Sequence, residues 1–361
     1  LRREAGGKVG NVDVVSGDDA PGHAHHQTEN GYDVYVNGTR AGSYVAAGKI
    51  LGSFYPDLKD KISSGVHVTG DEAVLVKWRG SYFVSVEEVG ESLPAFHTNT
   101  SKPTGAEGNV PKVTTHRPNL SVSVIDSVTL KVLHRISHPD ASFRHCVVTD
   151  NAVFYTYFNT AHKRTELSSV ALFSGLIPPT GITMFSNSVP RREKADTAYD
   201  RDRPISLQRT YILPHPVQTL SLTKTRYGIL PKSLLILDHG GRVYSVDLRI
   251  LDPRRPTSKP SNEEKKEGLM QYHPVVTVSS VGTVSYNKTI PHSTAIYTSG
   301  RELESEVLVW TSGWRCLWRR RGFDVLPPDF NKFGLVAALV GLAGVCAFVT
   351  WKGKNKRVEE G

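Results

Sequence analysis

Apolar residues fall along most of this chain in short runs with a period near two. Tyr32 to Val36 alternates before the turn pair Asn37-Gly38. Ala73 to Trp78 and Tyr82 to Val86 flank Arg79-Gly80-Ser81, a spacing that predicts a hairpin. Leu120 to Ile125 turns at Asp126-Ser127 into Leu130 to Leu133. Ala152 to Phe158 turns through Asn159 to Arg164 into Leu167 to Phe173. Ser233 to Leu237 and Arg242 to Val246 flank Asp238-His239-Gly240-Gly241, and Val307 to Trp310 turns at Ser312-Gly313. Aromatic and β-branched residues dominate these runs, as strands require. The pattern predicts a mainly β fold, a meander of short antiparallel strands of the kind that builds propeller blades, with a sandwich as the rival. No WD or kelch signature marks a repeat.

Three polar stretches interrupt the meander and read as exposed loops: 98–118, 189–204 and 252–268. Residues 1–31, rich in Gly, Asp and His, read as disordered or linker. His23, His25 and His26 lack a carboxylate or cysteine at ligand spacing, so a solvated loop is the expected reading there. The β-rich region is expected over 32–332.

The pattern changes at the C-terminus. Phe333 to Trp351 holds no charged residue. As a helix it would span about 28 Å, close to the hydrocarbon thickness of a bilayer. Trp351 stands where aromatic residues favour the interface, and a basic tail, 352–361, follows. Gly341 and Gly344, among other small residues, would let a second helix approach closely. The sequons at Asn37, Asn99, Asn119 and Asn287 all precede this segment. With the basic tail they favour a lumenal N-terminal region, a single membrane helix and a cytosolic C-terminus. The chain begins Leu-Arg-Arg-Glu without an apolar signal, so a lumenal reading expects it to be part of a longer sequence.

Composition narrows the chemistry. A hydrophobic content of 39% is enough for a folded core, and the formal net charge is +9. The basic residues are mostly dispersed and no nucleic-acid-binding signature accompanies them. None of the three cysteines forms a C-x-x-C pair. A Cys146–Cys316 disulfide is open in an oxidising compartment, with unpaired buried thiols the expected state. Nucleophile-elbow, zinc-protease, Walker and dinucleotide motifs are absent. Asp238-His239 reads as a hairpin turn rather than a catalytic pair, and His134, His138 and His145 lack metal-ligand spacing. The residues indicate no catalytic site, metal or cofactor.

Several stretches, in order, resemble subunit 1 of the endoplasmic-reticulum membrane protein complex. They are Asn37 to Gly52, Ala152 to Phe173, Thr210 to Pro214, Gly241-Arg-Val, Leu251-Asp-Pro-Arg-Arg-Pro256, Glu267 to Tyr272, the sequon at Asn287, and Leu303-Glu-Ser305 through Phe323 to Leu326. Leu251 to Pro256 is the most diagnostic. There Pro253 and Pro256 fix the backbone, so Arg254 and Arg255 would be presented at a defined place for a carboxylate of this chain or of a neighbour. The resemblance implies lumenal β-propellers, one membrane helix and a scaffold role in inserting tail-anchored and multipass clients. It implies other subunits of that complex, client membrane proteins and the lipid bilayer as partners. The alternative is a free-standing type I membrane receptor with a β-rich ectodomain.

Overall fold

The computed structural model describes residues 14–15, 23–36, 39–57, 64–78, 80–91, 117–177, 203–224, 232–276, 283–285, 289–300, 306–312, 316–320 and 331–359. The chain divides into two compact units, Leu1–Arg319 and Arg320–Gly361.

The first unit is built from strands. In chain order they are β1 (Val14–Val15), β2 (His23–Thr28), β3 (Gly31–Val36), β4 (Thr39–Val45), β5 (Lys49–Phe54), β6 (Val66–Val68), β7 (Val74–Lys77), β8 (Tyr82–Glu91), β9 (Arg117–Asp126) and β10 (Val132–His138). Then come β11 (Ala141–Val148), β12 (Ala152–Asn159), β13 (Arg164–Ile177), β14 (Ile205–Leu213), β15 (Val217–Leu222), β16 (Ser233–Asp238) and β17 (Val243–Asp247). A short helix, α1 (Asn262–Glu267), precedes β18 (Ile296–Gly300), β19 (Glu306–Thr311) and β20 (Cys316–Arg320). They form five sheets: β1-β2-β3-β4; β10-β9-β8-β5; β11-β12-β13-β7-β6 with β14 added on β13; β15-β16-β17; and β18-β19-β20.

Period-two alternation explains how the sheets stack. Side chains on one strand point to opposite faces in turn. On β8, Phe83 joins a core with Tyr32, Val34 and Tyr44 of the first sheet, while Tyr82, Val84 and Val86 join a core with the third. On β12, Val153, Tyr155 and Tyr157 face the second sheet, and Phe154 packs with Leu220, Leu234 and Ile236 of the fourth. On β16, Leu234 and Ile236 look back to the third sheet, and Leu235 and Leu237 pack on Ile296, Val307 and Val309 of the fifth. Each inner sheet is thus buried on both faces, by its predecessor and its successor. That is the relation between neighbouring blades of a β-propeller. A fully buried Phe83 or Leu235 contributes roughly 1.5–3 kcal/mol by leaving water.

The first junction also buries a charge. Glu87, fully buried, accepts from the Tyr44 hydroxyl at 2.7 Å, the Ala47 N–H at 2.8 Å and the Ser85 hydroxyl at 3.1 Å. Those bonds offset its desolvation.

Most turns follow the sequence. Asp126 closes the β9–β10 hairpin by accepting from the N–H groups of Val128 and Thr129 at 2.7 and 2.9 Å. Asp238 does the same for Arg242 at 2.8 Å, and Gly241 takes φ +77°. A Cβ at Gly241 would lie 2.3 Å from the Ile290 carbonyl oxygen, so no other residue fits there without backbone movement.

Three expectations change. The runs before and after Arg79-Gly80-Ser81 are not a hairpin: β7 pairs with β6 and β13, and β8 pairs with β5 and β9. The Trp78 N–H bonds to the Leu172 carbonyl at 3.1 Å, and its ring enters the core between the second and third sheets. The chain there steps from one sheet to the next. Order also begins before residue 32, since β2 pairs with β3 from His23↔Val36 to Thr28↔Gly31. Backbone pairing to a buried neighbour supports a segment that lacks apolar residues of its own. Finally, stretch 252–268 is not simply an exposed loop. It holds α1, whose capping box joins Ser261 and Glu264 and whose end is capped by Gly268 at φ +83°.

In the second unit, α2 (Lys332–Glu359) covers the apolar C-terminal segment. Among the described residues, no helix is long and apolar enough to cross a membrane.

Candidate functional site

The segment Leu251–Pro256 leaves the fourth sheet just after β17 and is held by polar bonds from both sides. Ser169 of β13 donates to the Leu251 carbonyl at 2.7 Å, and Tyr211 of β14 donates to the Asp252 carbonyl at 3.2 Å. Arg209 donates to the carbonyls of Pro253 and Arg255 at 3.1 and 3.2 Å, and its guanidinium lies 5.0 Å from the Tyr272 ring centre. The Tyr272 N–H donates to the Pro256 carbonyl at 2.7 Å. Two prolines suit this geometry, because they fix φ and remove donors that would otherwise need partners.

The two arginines part company. Arg255 is 5% exposed and points inward. Its guanidinium donates to three main-chain carbonyls, of Ile250, Met270 and Gln271. It ties the turn to the segment after α1. Arg254 instead pairs with Asp252 at 2.7 Å and with Glu267 at the end of α1. Burial works against its charge, but the bonds to Asp252 and Glu267 outweigh it and hold its pKa above the ordinary arginine value. Glu267 also meets the His67 ring of β6 at 2.8 Å.

Beside this turn lies a cleft of about 330 Å³ between the third and fourth sheets. Phe154, Val170, Ala171, Phe173 and Leu251 supply its apolar lining, and β6 contributes Val66 and His67. At one end Lys77 and Lys232 approach the two oxygens of Asp150, at 3.5 and 3.6 Å. Burial raises the Asp150 pKa, but the Thr149 hydroxyl and the two ammonium groups lower it more, so the carboxyl sits below its usual value. The sequence gives no sign of this trio, because its members stand far apart along the chain.

The other residues singled out in the sequence lie elsewhere. Asn37, Asn99 and Asn287 fall outside the described residues. Asn119 stands on β9, where its side-chain oxygen accepts from the Asp140 N–H at 3.3 Å; Leu120 and Ser121, next in its sequon, are 1% and 3% exposed. Gly341 and Gly344 lie on α2 with open space where a Cβ would stand. The three histidines do not converge: His134 meets Ser206 at 2.8 Å, and His138 meets the Tyr155 hydroxyl at 2.7 Å and stacks on Tyr157. Cys146 is a free buried thiol whose pKa burial pushes up.

Comparison with known proteins places this architecture. The family described as "ER membrane protein complex subunit 1, second beta-propeller" matches residues 25–315. ER membrane protein complex subunit 1 of Gallus gallus is 29% identical over 291 residues, covering 78% of this chain and 26% of that protein. The Xenopus laevis subunit is 29% identical over 231 residues, with coverage of 62% and 22%. The Schizosaccharomyces pombe subunit is 24% identical over 232 residues, with coverage of 62% and 25%. The chain thus spans about a quarter of the length of these relatives. With the family's match running from β2 to the edge of β20, the chain belongs to the family of ER membrane protein complex subunit 1.

Proposed function

We propose that this chain serves as a non-catalytic scaffold in an endoplasmic-reticulum membrane protein complex, supporting insertion and folding of tail-anchored and multipass membrane proteins. The observation that carries the reading is the family match over the whole stack of sheets, together with relatives named as complex subunits. The buried stack suits a rigid platform, since its junctions are filled with interlocked side chains on both faces.

In this reading the β region is lumenal, Phe333 to Trp351 is a single-pass anchor and the basic tail is cytosolic. The anchor rests on its nineteen uncharged residues, and the orientation on the tail charge and the position of the sequons. Partners are the other subunits, client membrane proteins and the bilayer; no cofactor or nucleic acid is involved.

The test is depletion of the endogenous full-length protein, with client insertion measured by glycosylation reporters on a tail-anchored and a multipass substrate. Insertion should fall for both and recover on re-expression. Unchanged insertion of both, with the protein gone, contradicts the role.

A further inference from the structure

We infer that the outer face of the fifth sheet rests on the lipid bilayer, with Tyr297 and Trp310 seated at the boundary between headgroups and acyl chains. The inference rests on the anchored, lumenal reading above and names the surface by which the β region meets the membrane.

Strand alternation separates the two faces of this sheet. Ile296, Val307 and Val309 turn inward and pack with Leu235 and Leu237 of the fourth sheet. Their chain neighbours Tyr297, Leu308 and Trp310 therefore point the other way. Tyr297 is 60% exposed and Trp310 38%. The register sets Tyr297 directly opposite Trp310, and Ser299 opposite Leu308. Side chains so placed start about 5 Å apart, so the two rings adjoin in one surface.

The far end of the stack has a different character. On the outward side of the first sheet, Asp33 pairs with Arg40 at 2.6 Å, and Tyr35 is half-buried against the His26 ring. Val45 adds one exposed apolar side chain. An ion pair suits water. Tyrosine and tryptophan, apolar in the ring and polar at the tip, suit the bilayer interface.

The path of the chain points the same way. Beside β19 lies β20, whose sequence includes Trp318, Arg319 and Arg320. Tryptophan favours the interface, and guanidinium groups make charge-assisted bonds to phosphate. Residues 321–331 then lead to α2. Fully extended, these eleven residues reach at most about 40 Å. Of the five sheets, the fifth is the one tied most shortly to the proposed anchor.

The test places the photo-crosslinking residue benzoylphenylalanine at position 297 of the full-length protein in microsomes. A control carries it at position 40, where the side chain is 57% exposed on the first sheet. Adducts are identified by mass spectrometry and normalised to recovered protein. Lipid adducts should form at 297 and stay at background at 40. With the crosslinker moved to 308, Tyr297→Ser with Trp310→Ser should lower lipid adducts about tenfold, a fraction of what burying two large rings is worth. Tyr297→Trp with Trp310→Tyr should preserve them. Adducts at 297 to protein alone, no adduct at 297, equal lipid adducts at 297 and 40, or indifference to the double serine variant would overturn the inference and leave the anchor standing. Extraction of the full-length protein by alkaline carbonate would instead remove the anchor beneath it, and digestion of the β region by protease outside sealed microsomes would remove the lumenal orientation.

Discussion

Arg255 donates to the main-chain carbonyl of Met270 at 3.2 Å, and this bond joins the turn after the fourth sheet to the segment after α1. Together with the bonds to Ile250 and Gln271 it makes Arg255 a buried brace, while Arg254 beside it is the partner of two carboxylates. Arg255→Ala should therefore be the more damaging change. It removes the shared donor of three part-buried main-chain carbonyls and should lower stability by about 2–4 kcal/mol. Arg255→Lys should rescue little, since an ammonium lacks the planar fork. Arg254→Ala should cost less, about 1–2 kcal/mol, because Asp252, 19% exposed, keeps access to solvent and Glu267 keeps the His67 ring as a partner. Thermal and denaturant unfolding of the two single variants checks the order; equal effects would contradict it.

Acid should weaken the junction between the second and third sheets through His138. Burial lowers its pKa from 6.5 to about 4, partly opposed by Glu166. The folded state therefore binds a proton less readily than the unfolded chain. Stability is full above pH 6.5 and is lost as pH falls from there towards 4, by about 3 kcal/mol from this group. His138→Phe removes the titration. Its unfolding midpoint should depend less on pH between 6.5 and 4 than that of the wild type. An unchanged slope in the variant would dismiss the role.

Asn119 is the one sequon asparagine among the described residues, and the fold closes it. Its side chain is engaged with Asp140 and the Ser121 hydroxyl is buried in the sheet. In the lumenal orientation, endoglycosidase H should release the same mobility shift from Asn119→Gln as from the wild type. A smaller shift in the variant would show that Asn119 carries a glycan.

If α2 is the anchor proposed above, a packing role for it can be separated from tethering. Gly341 and Gly344 present open space on α2, so close packing by another helix is sterically available there. Gly341→Leu with Gly344→Leu keeps the segment apolar and blocks that approach. Recovery of partner subunits should fall at matched expression. Equal recovery would reduce α2 to a tether.

How far the sequence could be read depends on whether a signal was local. β12, β16 and the β9–β10 hairpin were legible because alternation and turn residues sit within a few positions of each other. The Asp238 to Gly241 turn was legible for the same reason. The β7–β8 boundary was not, because a step between sheets and a hairpin share the same short polar linker; only the long-range pairing of β7 with β13 tells them apart. β2 was missed because its support comes from β3 and not from its own side chains. At the site, the prolines around Arg254 and Arg255 announced a fixed turn, whereas nothing local distinguished the brace from the ion pair. Lys77, Asp150 and Lys232 meet only because three chain segments converge in the fold.

Complex membership is the claim on which the rest depends. The direct measurement is affinity purification of the endogenous, tagged full-length protein from detergent-solubilised microsomes, followed by native sizing and mass spectrometry. A scaffold subunit should elute as one multi-subunit assembly, with co-purifying membrane proteins in fixed stoichiometry. A protein recovered alone, at the size of a single chain in detergent, would contradict the account and favour a free-standing membrane receptor.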